Sequence, residues 1–174
     1  SRLFIYYNER VMENSVNEDS GAMIADGILS VNKLGASSER CWPYKIEKFA
    51  IKPKSDCYKS ALNKQALKFY KVDNGDGVSI RKALSMGFPV VFGCYVYNAI
   101  YDINAAKYVV PMPAGKPIGG HCMVITGSND STQLYTVDNS WGPEWGRNGR
   151  ACFQYDYIHN RRITDDCWVI ELAE

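Results

Sequence analysis

A chain of 174 residues, 46% hydrophobic and 22% charged, is long and apolar enough to bury one sizeable core, so a single domain is the expected organisation. Its formal net charge of +1 supplies no global field to draw in nucleic acid or an anionic membrane. No apolar run approaches the roughly 18 residues of a membrane span, so nucleic acid and a membrane span are not expected partners.

Residues 1–8 open on an apolar, aromatic run that reads as the middle of a fold, and residues 1–7 lack the n-region and cleavage site of a signal peptide. Beyond Asp19 and Ser20, the residues Met23, Ile24, Gly27, Ile28, Val31 and Leu34 recur at helical spacing behind a Ser or Asp cap, and Gly35 supplies a stop. Residues 38–44 contain Trp42-Pro43-Tyr44 and are expected to be extended, because a proline ring crowds its predecessor out of the helical region. Residues 45–71 carry eight lysines against Glu47 and Asp56, a local balance of +6. Ala61, Leu62, Ala66, Leu67 and Phe69 with lysines between them have a helical pattern, which favours a solvated helix face over a patch for an acidic partner.

Asp73-Asn74-Gly75-Asp76-Gly77 has the composition of a calcium loop but not its register or its terminal Glu, and is expected to be a turn. Ser79 then caps a short helix over 80–86 that Gly87 stops, and 89–96 is a β-branched, aromatic strand. Residues 104–118, rich in proline and glycine toward their end, form a loop that delivers the chain to His121. The apolar run 119–125 and the strand ending at Asn139 pair as a hairpin across the polar turn 127–131, and 150–155 and 166–172 are further strands. The fold class is α+β: a mostly helical part over about 1–78 and a β-rich part over about 79–174, with no internal repeat.

The six cysteines form no close C-x-x-C pair, so no metal site is expected. Cys94 and Cys122 fall in apolar strand runs as buried small hydrophobes. Cys41 with Cys57, or Cys152 with Cys167, would bridge only in an oxidising compartment, and the compartment stays open. Asn129-Asp130-Ser131 fits a glycosylation acceptor, a short pattern with meaning only in a secreted protein. His159, beside Asn160 and two arginines, reads as a polar loop residue.

The hairpin brings His121 and Asn139 within reach of each other. An imidazole gains catalytic value when a second group fixes its tautomer and ring angle, and an Asn oxygen does so without adding charge. Trp141 would cover that bond and exclude water, while Gly119 and Gly120 leave space beside the ring. For His and Asn alone, a core histidine and a turn-capping asparagine is the plainer reading.

The surrounding residues decide otherwise. Gly119-Gly120-His121 with the apolar strand that follows, then Asp138-Asn139-Ser140-Trp141-Gly142, Trp145-Gly146 and Gly149, closely resembles the papain-like cysteine peptidases. The resemblance implies a papain-like two-lobed fold and peptide-bond hydrolysis without a cofactor. His121 would be general base and acid, Asn139 its orienter and Trp141 its shield. Upstream, residues 20–44 resemble the family's N-G-G helix and Y-P-Y segment, so Ser20, Gly21 and Ala22 would offer backbone groups to an extended peptide or protein substrate. The family's usual cysteine and second glycine are missing there. Asp165 falls near the family's pocket for the second residue upstream of the cut, where an acid would favour basic or polar side chains. The same carboxylates read equally well as surface groups facing Arg161 and Arg162.

The family's nucleophile lies in a C-G-[SA]-C-[WY] signature about 130 to 150 residues before the histidine, which here falls about 10 to 30 residues before Ser1. No such signature occurs in the chain. Cys122 adjoins His121, but adjacent strand residues point to opposite faces; Cys94 sits in another strand without the helix N-terminus that would lower its pKa, and Cys41, Cys57, Cys152 and Cys167 fall outside the family's nucleophile position. The expectation is an N-terminally incomplete peptidase domain, inactive alone. A companion segment or chain would carry the cysteine and the oxyanion-hole glutamine and cover roughly several hundred square ångströms of apolar surface. The alternative is a noncatalytic papain-like binding or structural protein. Another thiol acyl transfer, such as transamidation, is a third possibility that the tryptophan-rich motif disfavours.

Overall fold

A computed structural model of the chain describes residues 1–101, 103 and 108–173, the last two by their backbone alone. Of the loop expected over 104–118, residues 104–107 lie outside the described residues. The chain divides into two compact units, Ser1–Phe69 with Ile170–Glu174, and Tyr70–Val169.

The first unit is mostly helical. Helix α1, Arg2–Met12, is capped by Ser1, whose Oγ accepts from the Phe4 amide at 3.3 Å. Helix α2, Ile24–Leu34, ends at Gly35 as its spacing predicts, but its N-cap is Met23 with no side-chain bond. Asp19 is occupied elsewhere, accepting from the Tyr6 hydroxyl, so the Ser/Asp cap is not used. No helix crosses 38–44, but the segment is not extended throughout: residues 39–41 form a turn, with the Cys41 and Trp42 amides both donating to Ser38 O at 3.1 Å, and Trp42 is buried. A 3₁₀ turn at Ile46–Lys48 and helix α3, Ser55–Ala61, follow. Leu3, Phe4, Trp42, Cys57 and Ala61 form the buried apolar cluster, and Cys41 is bonded to Cys57.

The solvated helix face expected over 61–69 is not formed. Helix α3 stops at Ala61, and residues Ala66–Val72 are strand β1. Phe69, Tyr70 and Val72 are good strand formers, and pairing in the sheet overrides a local spacing that fits a helix equally well.

In the second unit, residues 73–77 form the expected turn and lead into helix α4, Val78–Ser85. Its cap is Gly77, at φ +66°, rather than Ser79, and Asp76 Oδ1 accepts from the Val78 amide. The strands are β2 Val90–Val96, β3 Gly119–Asn129, β4 Leu134–Asp138, β5 Arg150–Gln154 and β6 Thr164–Ala173. The sheet order is β1-β6-β2-β3-β4-β5, with β2–β3, β2–β6, β3–β4 and β4–β5 antiparallel. Alternate residues point to one face: Val90, Phe92, Cys94 and Val96 on β2, Met123 and Ile125 on β3, Tyr135 and Val137 on β4, Ala151 and Phe153 on β5 are all buried. Each such side chain of Val or Phe size stabilises the fold by about 1.5–3 kcal/mol relative to exposure.

Several local expectations shift. Strand β3 runs on to Asn129, so the hairpin turn occupies 130–133 and begins three residues later than its polar run suggests. Asn129 Oδ1 accepts from the amides of Ser131 and Thr132 and from Ser131 Oγ, which gives the Asn-Asp-Ser triplet a turn-forming role. The strand expected over 150–155 ends at Gln154, and Tyr155–His159 is a short helix, α5, that contains His159. Cys152 and Cys167 are both free. Strands β2, β3 and β4 separate their strands in the sheet, a span of about 19 Å, far beyond the reach of a disulfide.

Candidate active site

His121 is the third residue of β3 and shares the face of Met123 and Ile125, so its half-buried ring stands at the rim of the apolar core. Cys122 lies on the other face and is exposed, which corrects the expectation of a buried small hydrophobe. Its thiol points away from the imidazole, as strand alternation requires.

Asn139 follows the last residue of β4, at the mouth of a loop that closes on itself. Its amide donates to Gly149 O at 2.9 Å, Gly149 N to Trp145 O at 3.0 Å, and Arg147 N to Arg150 O at 2.8 Å. Gly146 sits at φ +59°, and a Cβ there would meet the Arg150 carbonyl oxygen at 2.1 Å, so only glycine fits this turn. Trp145 anchors the loop by burying its ring and donating Nε1–H to Ile100 O at 3.2 Å.

The loop holds Asn139 Oδ1 2.7 Å from His121 Nε2. The Ser140 amide donates to the same oxygen at 2.7 Å. A backbone N–H only donates, so the amide orientation is fixed by Ser140, and His121 Nε2 must carry the proton. In the neutral ring Nδ1 is then the nitrogen with the lone pair. The arrangement leaves Asn139 Nδ2 buried without a partner among the described residues, at a cost of about 1–3 kcal/mol.

Trp141 stacks on the imidazole with ring centroids 4.7 Å apart and planes inclined by 26°. Tyr101 stacks on Trp141 at 5.5 Å and 13°, and Trp145 meets Trp141 edge-on at 5.9 Å. The hydrogen-bonded pair is therefore flanked by aromatic rings. Tyr101 carries no signal in the sequence motif, because its place depends on a contact forty residues along the chain. A Cβ on Gly119 or Gly120 would meet nothing within 4 Å, so the backbone beside His121 is open.

The sheet register sorts the neighbouring residues into two rows. Cys94 pairs with both His121 and Thr164, while Gly93 pairs with both Cys122 and Asp165. Cys94 therefore shares the face of His121, but burial pushes its thiol up to about 12, the wrong direction for a nucleophile. Burial also pushes Cys167 up to about 12 and raises Cys152, and Cys41 and Cys57 are bonded to each other.

Asp165 is exposed in the row of Cys122 and Gly93, on the face opposite His121. Arg161 donates to both oxygens of Asp73 at 2.6 Å, which holds that carboxyl below its ordinary range, while Asp166 accepts from Trp168 Nε1 and lies 3.7 Å from Lys71.

In the first unit, Ser20, Gly21 and Ala22 form an exposed strip before α2. The Gly21 amide donates to the Tyr6 hydroxyl at 3.1 Å, and the Met23 amide to Glu13 Oε1 at 2.8 Å. Between them, the N–H and C=O of Ala22 have no partner among the described residues. No group of three or more His, Cys, Asp or Glu among the described residues could hold a metal, and no described helix is long and apolar enough to cross a membrane.

Comparison with known proteins places this geometry. The solved structure of xylellain, a cysteine protease from Xylella fastidiosa, superposes with a TM-score of 0.92 at 36% identity, covering 100% of this chain and 70% of that one. An uncharacterized peptidase C1-like protein, L477, of Acanthamoeba polyphaga mimivirus is 38% identical over 181 residues, covering 98% of this chain and 58% of its own length. Cathepsin B-like CP3 of Giardia intestinalis is 29% identical over 171 residues, covering 90% of this chain and 54% of its own. The chain thus spans little more than half the length of these two relatives. Residues 13–169, which include His121, Asn139 and Trp141, match the profile of the papain family cysteine protease. The chain has a papain-like fold and belongs to the papain family of cysteine proteases.

Proposed function

We propose that the protein hydrolyses peptide bonds by a Cys-His-Asn mechanism, with its nucleophilic cysteine supplied from outside residues 1–174, on an upstream segment or a companion chain. The observation that carries this reading is the Ser140-oriented Asn139 carbonyl that holds the proton on His121 Nε2. It leaves His121 Nδ1 as the base. The chemical state of the cysteines supports an external nucleophile: burial makes Cys94 and Cys167 poor thiolates, and Cys122 faces away from the ring.

In this mechanism Nδ1 takes the thiol proton and the thiolate attacks the peptide carbonyl carbon. The tetrahedral oxyanion collapses as the His121 imidazolium protonates the leaving amine. Water, deprotonated by His121, then cleaves the thioester, releasing the carboxylate product and restoring the thiol. Asn139 keeps the ring aimed through each proton transfer, and the stacked Trp141 keeps water from competing for the Nε2 hydrogen bond. An extended substrate pairs with the open backbone of Ala22 in the strip Ser20-Gly21-Ala22. The Cys122, Gly93 and Asp165 row provides a site for the second residue upstream of the cut, where Asp165 favours a basic or polar side chain.

His121→Ala is expected to abolish hydrolysis of a fluorogenic peptide, by at least about a thousandfold, whereas Asn139→Ala should lose only part of the rate. Full activity of the His121→Ala enzyme would sink the proposal. A wild-type protein that binds peptides yet leaves a thiol-reactive peptide probe unmodified would instead be a noncatalytic relative.

A further inference from the structure

We infer that Arg10 is a positioning residue for substrate, acting through the strip that ends at Ala22. The inference rests on the peptidase reading above and names the device that shapes its substrate-binding backbone.

Arg10 is the largest fully buried side chain of the described residues, at 0% exposure. A buried guanidinium is costly unless its donors are satisfied, and here oxygens of the backbone alone satisfy it. Nε donates to Tyr6 O at 3.1 Å, Nη1 to Val16 O at 2.6 Å and to Glu18 O at 3.1 Å, and Nη2 to Phe49 O. The cation lies 3.8 Å above the Tyr6 ring and 5.1 Å from the Phe49 ring centroid. Because its hydrogen-bond acceptors among the described residues are all backbone oxygens, the planar fork serves to hold carbonyls at fixed angles, and two of them belong to the segment that leads into the strip.

Its helical neighbours continue the same work. Residues 6, 10 and 13 lie at the i, i+4, i+7 spacing of one helix face. The Tyr6 hydroxyl donates to Asp19 Oδ1 at 2.6 Å while accepting the Gly21 amide, and Glu13, the C-cap of α1, accepts the Met23 amide. One stripe of α1 thus grips residues 16, 18, 19, 21 and 23 in sequence. It consumes the backbone groups on either side of Ala22 and leaves those of Ala22 for the substrate. The Arg10 guanidinium lies against the Tyr6 ring, so moving it shifts the hydroxyl that fixes Gly21.

The test compares two fluorogenic peptides in the active protein with its nucleophile. One has an ordinary backbone at the second residue upstream of the cut. The other is N-methylated there and so cannot donate to Ala22 O. Arg10→Lys keeps the charge but loses the fork, and Tyr6→Phe keeps the ring but loses the hydroxyl, so the second variant carries the test if the first fails to fold. Each should raise KM for the ordinary peptide about tenfold, with kcat and its pH profile little changed, and raise it by a clearly smaller factor for the already weak N-methyl peptide, which can only accept from Ala22 N–H. An unchanged KM, or an equal loss on both peptides, overturns the positioning role while leaving the peptidase reading intact. A wild-type enzyme that hydrolyses neither peptide overturns both.

Discussion

The two units position their functional groups by different means. In Tyr70–Val169, His121 and Asn139 sit at the ends of adjacent strands, where sheet register and a dense apolar face dictate where each Cα falls. In Ser1–Phe69, the strip at 20–22 belongs to no regular element, the apolar cluster is small, and order comes from a disulfide and from side chains bonded to backbone. Register places a residue as a by-product of burying the core. An irregular strip needs dedicated polar side chains, and those side chains are points at which it can be undone separately.

The largest test of this contrast is Phe153→Ala. Phe153 is fully buried on β5, edge-on to Phe92 at 6.3 Å and Tyr157 at 5.0 Å. Its truncation should cost about 3–5 kcal/mol, read as a lowered urea midpoint, and should speed amide exchange across β2 to β5 together. If only β5 exchanged faster, the second unit would not share one cooperative core. Next in size is Cys41→Ala, which opens a loop closed over a sequence separation of 16. A loop of that length predicts a loss of about 3 kcal/mol, seen as faster exchange in α3 and around Trp42 while the amides of 121–125 keep their protection. Equal loosening of both regions would count against separate modes of support.

The same contrast explains which features could be read from the sequence. His121 and Asn139 could, because a strand period of two carries His121 onto the face of Met123 and Ile125, and the loop after Asn139 is spelled out by Trp145, Gly146 and Gly149. Cys41 with Cys57 could be read as one of two possible bridges, and only the sheet order excludes the other. Strand β1 could not, because its apolar spacing also fits a helix and its partner, β6, lies about a hundred residues away. Helix α5 spans too few residues to show a period. Arg10 was hidden for a different reason: an arginine in a helix reads as solvent-facing, and the carbonyls that bury it come from residues 6, 16, 18 and 49.

The finest test is pH, because each unit holds a titratable group whose burial favours its neutral form. In the first, Glu9 lies against Gly27, and burial, then Glu13, raises its carboxyl from 4.5 to about 7, with Arg10 opposing. A raised carboxyl pKa means the folded state holds a proton that the unfolded chain has released, so stability falls as pH rises from about 4.5 to 7. The loss is about 3 kcal/mol at most, and Glu9→Gln should remove it. In the second unit, His159 Nε2 lies 2.9 Å from the Tyr135 hydroxyl and fills the space a Cβ on Gly77 would take. Burial, then Arg81, lowers its pKa below 6.5, against the pull of Asp156 and Asp76. Here the folded state favours the neutral ring, so the contribution is complete above 6.5 and is lost as pH falls through the lowered value. Site-resolved exchange between pH 5 and 8 should therefore show α1 and α2 loosening toward the alkaline end and α5 toward the acid end. Glu9→Gln should flatten the first slope without touching the second, and a parallel change in both would mean that the two groups do not govern separate regions.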